Sequence, residues 1–415
     1  MKILNFGSCN LDFVHEVAHF VRAGETIHAL SRSVFPGGKG LNQSIALARA
    51  GAKVYHAGCV GKDGEPLRSL LRENRVEIPF LATVEEATGY ALIQVQPDGE
   101  NSIVLYAGAN EQITGEMAEK VLAHFEKGDV LLLQNEISAI PEIAEAAAEK
   151  GMRIFYNPAP FSDMSRQADP AKCECLIVNE TEGEVLTGEQ RPAKIAEVFA
   201  EKYPGVELVL TCGKRGAYWL FGQTALFQPT FAVESVDTTA AGDTFIGTLI
   251  AGICQGKSRE DCLKTACAAA AISTEKKGAA SSIPTAAEVE ERLPLLKPLN
   301  GNRDTEEFLD ELRSYCRSDP ARASLCGFAE SIHASRSGAA HKIKRTVGRG
   351  FSEFLREIRL EQAAELLKNT DLPIGQVIES VGYQNETYFR RCFEERYGEK
   401  PLAFRKQEKG AMSCD

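Results

Sequence analysis

The stretch Asp237-Thr238-Thr239-Ala240-Ala241-Gly242-Asp243-Thr244-Phe245 has the residue types for phosphate chemistry. Small residues lead straight into an apolar helical pattern, Phe245, Ile246, Leu249, Ile250 and Ile253. A helix N-terminus presents unpaired backbone N–H groups and the positive end of the helix dipole. With only Ala and Gly at 240 to 242, a phosphate can come close to those N–H groups. Asp243, in the first turn, can take a proton from a hydroxyl while the N–H groups hold phosphoryl charge. The plain alternative is that Asp243 only favours a helix start and Gly242 a turn.

Such a group needs a scaffold, and the first 290 residues supply a pattern for one. Apolar runs at Ile3–Phe6, Val54–Cys59, Val130–Leu133, Arg153–Tyr156, Cys175–Val178 and Leu208–Leu210 alternate with Ala-rich helical stretches such as Gly40–Ala50 and Ile140–Lys150. That alternation predicts a parallel α/β sheet. Polar residues follow the strands: Asn10 and Asp12, Asn135 and Glu136, Asn157, Asn179 and Glu180, Thr211 and Gly213. In open α/β sheets, ligands bind beyond the carboxyl ends of the strands. Phe13–Phe35 and Thr88–Tyr106, the latter with a turn at Pro97-Asp98-Gly99, read as exposed strands of a small separate sheet, a lid that excludes water. Pro36-Gly37-Gly38-Lys39-Gly40-Leu41-Asn42-Gln43 is a Gly-rich turn into a helix without P-loop spacing, and Asn42 is placed to cap that helix.

Composition bounds the setting. The chain has 415 residues, 44% apolar and 25% charged, which predicts a globular protein of two or three domains. No apolar run reaches the roughly 18 residues of a membrane span. The twelve cysteines form no Cys-x-x-Cys pair, which predicts reduced thiols and a cytoplasmic protein without membrane partners. Of 47 Lys+Arg and 58 Asp+Glu, residues 300–415 carry 19 of each, which leaves 28 against 39 for residues 1–299. An acidic body and a balanced tail predict two modules with different partners.

The motifs Gly7-Ser8-x-Asn10-x-Asp12, Gly37-Gly38-Lys39-Gly40-x-Asn42-Gln43, Thr88-Gly89, Asn157-Pro158-Ala159-Pro160, Asn179-x-x-Glu182 and Asp237–Phe245 occur in this order. Through them, residues 1–293 resemble the ribokinase family of sugar kinases along their whole length. The resemblance implies a three-layer α/β/α fold with a small β-sheet lid. It implies ATP-dependent phosphorylation of a pentose, with D-ribose to ribose 5-phosphate as the leading reaction and another sugar or a nucleoside as alternatives. Asp243 resembles the general base, and Ala240, Ala241 and Gly242 the anion hole. Asn10, Asp12, Gly38, Lys39, Asn42 and Glu136 resemble the pentose-binding set. Asn179 and Glu182 resemble the pair that organises Mg²⁺ and phosphate, and Thr211, Gly213 and Gly216 the nucleotide loop. Asp237, Thr239, Ser273, Lys276, Gly278 and Ser282 resemble a K⁺ site that acts by fixing the anion hole. Cys267 departs from the pattern, standing where a polar residue near the adenine is usual.

Residues 294–302 read as a Pro/Gly/Asn linker, and residues 303–408 as helical with an internal repeat of about fifty residues. Ala329–His333 recurs as Ile378–Gly382, and Gly348-x-x-Phe351-x-x-Phe354 as Gly398-x-x-Pro401-x-x-Phe404. Each repeat reads as a helix-turn-helix. Ser352–Asn369 between them spans roughly 27 Å as a helix, suited to recognition helices about one DNA turn apart. Residues 303–408, followed by a tail at 409–415, resemble the AraC-type DNA-binding domain. The resemblance implies double-stranded DNA as a partner, read by Gln384, Asn385, Thr387, Arg390 and Arg391 in the second repeat and by Ser335, Arg336, Ser337, His341 and Arg345 in the first. Gly338-Ala339-Ala340 departs from the pattern, replacing a bulky pair, which predicts a loosely packed first recognition helix. For Arg390-Arg391 and Lys342–Arg349 the alternative is a solvated helix face. Together the two resemblances imply a homodimeric kinase coupled to transcription, or a sugar sensor that has kept the kinase fold without turnover.

Overall fold

Alternate residues of one short strand start two separate cores. In β1 (Ile3–Phe6), Ile3 faces one apolar cluster, while Leu4 and Phe6 face another. The same alternation recurs in β8 (Val130–Gln134), β9 (Arg153–Asn157), β10 (Cys175–Asn179) and β11 (Glu207–Thr211), each buried on both sides. Strands covered on both faces need helices on both faces, which is the three-layer α/β/α arrangement.

The computed structural model describes the chain except residues 98–99, 162–166, 223, 300–302, 333, 348 and 413–415; for 303–307, 310, 345–346 and 407–412 only the backbone is described. The expected turn at Asp98-Gly99, the Asn300–Asn302 end of the linker, the repeat markers His333 and Gly348, and the side chains of Arg345 and of the tail lie outside the described residues. The chain divides into two units, Met1–Asn300 and Gly301–Asp415.

In the first unit, the remaining strands are β2 (Asn10–Glu16), β3 (Ser31–Gly37), β4 (Val54–Val60), β5 (Glu77–Thr83), β6 (Gly89–Val95), β7 (Asn101–Tyr106), β12 (Gly216–Phe221) and β13 (Thr224–Pro229). The main sheet runs β13-β12-β11-β10-β9-β8-β1-β4-β5, parallel except for the antiparallel pairings of β12 and β13. Helices α1 (Lys39–Arg49), α2 (Glu65–Glu73), α7 (Ala241–Cys254), α8 (Arg259–Ser273) and α9 (Ala286–Arg292) pack on one face. On the other lie α3 (Gly115–Leu122), α4 (Ile140–Glu149), α5 (Glu180–Thr187) and α6 (Pro192–Lys202).

The segments expected to break the alternation form a second sheet, β3-β2-β6-β7, with Asn10 and Asp12 on β2 itself. After β1 the chain builds β4 and β5 on one side, then returns with β8 on the other. A ligand crevice is expected at such a switch point, between the carboxyl ends of β1 and β8. Asn42 does not cap α1: Gly38, at φ 93°, stands at the N-cap, and Asn42 lies inside the helix.

The second unit contains α10 (Arg303–Ser318), α11 (Leu325–Ser331), α12 (Arg336–Val347), α13 (Phe351–Asn369), α14 (Ile374–Ser380), α15 (Glu386–Tyr397) and α16 (Pro401–Met412). Two small cores share α13. Its Phe351, Phe354, Leu355 and Ile358 join Phe328 and Ile343 in one, and its Leu360, Ala363, Ala364 and Leu367 join Ile378, Phe389 and Phe393 in the other. Phe328 of α11 matches Val377 of α14, forty-nine positions on, and from the second helices onward the matching positions are fifty apart: Ala339 with Phe389, Ile343 with Phe393 and Phe354 with Phe404.

The expected looseness around Ala339 is not seen, because Ala339 and Ile343 are both fully buried. The bulk has moved: a ring at Phe328 stands where the second repeat has Val377, and Phe308 of α10 meets it edge-on at 5.5 Å. Each second helix opens on a side-chain cap, Ser335 Oγ accepting from Gly338 N–H and Asn385 Oδ1 from Tyr388 N–H. Among the described residues, no helix is long and apolar enough to cross a membrane.

Candidate active site and DNA-binding helices

Helix α7 begins where Ala240 turns left-handed, at φ 59°. The first bond within the helix runs from Thr244 N–H to the Ala240 carbonyl, so Gly242 and Asp243 N–H have no acceptor within the helix. Of the three residues expected to form the anion hole, Ala241 gives its N–H to the Thr238 carbonyl at 3.2 Å. Nothing stands within 4 Å of a side chain placed at Gly242, so the helix end is open. It opens into a cavity of about 600 Å³, with Thr211, Gly213 and Gly216 on one wall and Cys267 and Phe245 on another. The cavity therefore gathers the residues expected for a nucleotide around the helix N-terminus.

Asp243 is buried beside this opening, and both carboxylate oxygens are held. Gln43 Nε2 donates to Oδ1 at 2.9 Å, and Asn42 Nδ2 to Oδ2 at 3.1 Å. The contact depends on close approach of α1 and α7: a Cβ on Gly247 would come within 2.4 Å of the Ala46 side chain. Burial raises the Asp243 pKa above the usual carboxylate value, against the opposing pull of Lys39, Gln43 and Asn42. Gln43 is fixed in turn, since it accepts from Gln134 Nε2 at 2.7 Å and also donates to Asn157 Oδ1 at 3.2 Å. Gln134 continues to Asn5 at 2.9 Å, then Asn5 to Ser44 at 2.8 Å and Ser44 to His56 at 2.8 Å. Burial lowers the His56 pKa to about 4, so this chain is a neutral polar strut beneath the site.

At the switch point, Glu136 after β8 accepts from Ser8 Oγ after β1 at 2.5 Å and from Lys39 N–H at 2.9 Å. Burial raises its pKa, with the Lys39 charge opposing. Asp12 is raised to about 6, first by burial and then by the negative charge of Glu136. Burial works against the charged form of Lys39, yet the fields of Asp243, Glu136 and Glu182 together raise its pKa. One ammonium thus balances three carboxylates from three elements. Asn10 Oδ1 accepts from Asn110 Nδ2 at 2.8 Å, and a Cβ on Gly38 would lie 3.1 Å from Asn10 N. Asn42 Oδ1 is buried and unpartnered, an acceptor facing no protein donor.

Two expected sets are only partly assembled. Asn179 and Glu182 form a reciprocal capping box at the start of α5, with bonds of 2.9 to 3.0 Å. Burial raises the Glu182 pKa, and its all-oxygen character fits Mg²⁺. Asp237 accepts from Thr239 N–H and Oγ1 and from Gly278 N–H at 2.6 to 2.9 Å, which joins two of the segments expected around K⁺. Burial alone would raise its pKa, but these donors bring it below the usual value, so the carboxylate stays charged. The hydroxyls of Ser273 and Ser282 turn to carbonyls in their own chain segments, and Lys276 Nζ pairs with Glu288 at 2.8 Å. Lys276 can offer a cation only its backbone carbonyl, while the two serine hydroxyls, each donating its proton, keep oxygen lone pairs.

In the second unit, Arg336, Ser337 and His341 on α12, and Gln384, Asn385, Thr387 and Arg391 around α15, are exposed. Arg390 is half-buried and pairs with Glu386 at 2.6 Å. Asn385 spends its Oδ1 on the helix cap, leaving its amide N–H groups available. The sequence pattern marks Ser8 only as part of a motif, without a role, and does not single out Asn110, Gln134 or Asn5. A signal existed for Gln134, a polar end to the otherwise apolar run Val130–Leu133.

Fold and site together place a buried carboxylate beside an open helix N-terminus at the edge of a cavity in a three-layer α/β/α domain. Comparison with known proteins is specific. The model of the pfkB family carbohydrate kinases matches residues 1–286, and a helix-turn-helix domain model matches residues 328–407. The ribokinase of Haemophilus influenzae is 38% identical over 298 residues, covering 69% of this chain and 96% of that protein. The ribokinase of Cryptococcus neoformans var. grubii, solved in complex with ADP, has a TM-score of 0.63 at 33% identity, covering 70% of this chain and 99% of that one. Arabidopsis thaliana ribokinase complexed with ribose and ATP has a TM-score of 0.62 at 28% identity, covering 70% and 98%. The chain belongs to the pfkB family of carbohydrate kinases and carries an AraC-type helix-turn-helix domain at its C-terminal end. It is an ATP-dependent sugar kinase joined to a DNA-binding module.

Proposed function

We propose that the first unit phosphorylates D-ribose on its 5-hydroxyl and that this turnover is coupled to sequence-specific DNA binding by a homodimer. The observation that carries the reading is the double clamp of Asn42 and Gln43 on Asp243, beside the open start of α7. Asp243, raised by burial, takes the proton of the 5-hydroxyl as the hydroxyl oxygen bonds to the γ-phosphorus and the bond to ADP breaks, while the Gly242 N–H holds the phosphoryl charge. Asn10, Asp12, Lys39, Asn42 and Glu136, with the backbone of Gly38, offer donors and acceptors for a polyol with vicinal hydroxyls. Two of them ride on the lid strand β2, so lid movement carries sugar-binding groups with it. Lys39 offsets the mutual repulsion of the carboxylates.

Mg²⁺ arriving with the nucleotide supplies charge neutralisation near Asn179 and Glu182. Thr211, Gly213 and Gly216 form the nucleotide loop. K⁺ belongs at the Asp237–Gly278 turn, where it steadies the residues before α7; Thr239 and the carbonyls near Ser273, Lys276 and Ser282 complete its surroundings. The dimer forms through the small sheet, whose edge strand β7 leaves Ile103, Val104 and Leu105 at least half exposed. Arg336, Ser337, His341 and Arg345 on α12, and Gln384, Asn385, Thr387, Arg390 and Arg391 around α15, read the DNA.

The test is ATP consumption with Mg²⁺ and K⁺ over D-ribose, 2-deoxyribose, fructose and nucleosides, beside Asp243→Ala. Ribose-dependent turnover lost in the variant supports the reading. Turnover on a different alcohol transfers the mechanism to that substrate. Ribose binding without any turnover replaces the kinase with a sensor.

A further inference from the structure

The segment that leads out of the kinase fold toward the DNA-binding helices is part of the cavity wall. Pro298 pairs antiparallel with Phe231, flanked by Ala232 N–H to the Lys297 carbonyl at 2.9 Å and Leu299 N–H to the Thr230 carbonyl at 2.7 Å. Thr230, Phe231 and Leu299 all line the cavity at the start of α7. Leu299 keeps 40% of its surface exposed, an apolar side chain on an apolar wall with Val233, Ala270 and Ala271. The first helix of the DNA-binding unit starts at Arg303, four positions later.

We propose that this cavity has a second function: it is an effector site through which an adenine nucleotide controls DNA binding. The inference rests on reading the cavity as the nucleotide site. A planar purine seated there covers Leu299 and favours the segment paired with Thr230–Ala232 over the segment released. A ligand shifts an equilibrium only by its differential affinity for two states, and the paired segment is the state that completes the wall. Pinning Leu299 fixes the point from which the DNA-binding unit departs, which changes the freedom that this unit loses on meeting DNA. Coupling is reciprocal, so bound DNA changes nucleotide affinity by the same factor.

The test uses the full-length chain, a non-hydrolysable ATP analogue, and a duplex enriched by this chain from a random pool. The analogue is expected to slow amide exchange in peptides covering Phe231–Ala232 and Lys297–Leu299. It is expected to change DNA affinity at least fivefold, the lower end of typical coupling. A flexible eight-residue Gly-Ser insertion between Asn300 and Gly301 leaves turnover intact and reduces that change below twofold. Turnover with unprotected 230–232 and 297–299 peptides overturns the inference while the kinase reading stands, as does a change in DNA affinity below fivefold. A chain that binds no nucleotide by thermal shift and turns over no sugar overturns both. A chain that enriches no duplex with or without the analogue overturns the inference as well.

Discussion

Replacing Gln43 with Leu removes one of the two donors on the Asp243 carboxylate while keeping volume and apolar packing. Gln43 is completely buried, so water does not take the place of its amide. A hydrogen bond to a charged group contributes about 1.5–3 kcal/mol. If that stabilisation is present only when Asp243 is correctly placed and ionised, kcat falls roughly 10- to 150-fold, at about 1.4 kcal/mol per decade. The donor favours the carboxylate, so its loss raises the Asp243 pKa further and moves the acid limb of the kcat profile to higher pH. The deficit therefore narrows as pH rises. Gln43 has no exposed surface to meet a sugar, so KM for the sugar stays within about threefold. The orphaned Asn157 Oδ1 costs about 1–3 kcal/mol of stability, which a lower Tm reports separately. The assay is initial rate against pH at saturating ATP. A kcat within threefold of wild type with an unmoved acid limb refutes the argument, and so does a tenfold rise in KM at constant kcat.

Asp12 has a folded-state value near 6, above the ordinary one, so its ionisation costs stability as pH rises from about 4 through about 6. Asp12→Asn is expected to raise Tm at pH 8, to leave it nearly unchanged at pH 4, and to remove the limb of kcat/KM near pH 6; a Tm gain of equal size at both pH values contradicts this. Gly247→Ala forces α1 and α7 apart, so stability drops about 1–3 kcal/mol and kcat drops with it, as urea titration and rate measurements will show. Charging the exposed strand with Ile103→Glu and Leu105→Glu is expected to convert dimer to monomer by light scattering, and a wild-type monomer at micromolar concentration disproves the lid interface. Arg391→Ala weakens duplex binding and lowers its salt dependence, and an unchanged salt slope removes Arg391 from the phosphate-contacting set.

The strands of the main sheet were legible because buried parallel strands write themselves as continuous apolar runs between helical patterns. The ends of those strands disclosed Glu136, Asn179 and Thr211 for the same reason: polar residues interrupt an apolar code where the crevice begins. A helix cap is the plain local alternative for Asn42, because a local rule for Asn near a helix start cannot see a partner two hundred positions away. The support beneath Asp243 was equally hidden. Gln134 and Asn5 belong to neighbouring strands, and Asn110 sits in a turn without a motif, so only tertiary closure brings them to the site. The packing of α12 escaped a position-by-position comparison because lost volume at Ala339 was restored elsewhere, at Phe328 and Phe308.

The shared helix α13 sets two screws of different pitch against each other. One inserted residue turns everything beyond it by about 100° and advances it about 1.5 Å. Seven residues nearly restore the rotation but advance the second recognition helix about 10 Å, some three base pairs, where the groove of DNA has itself turned by about a third of a revolution. No small insertion satisfies both periods. An insertion within α13 therefore disturbs rotation or advance between the two repeats, so the length of this shared helix is under a constraint that its exposed side chains are not.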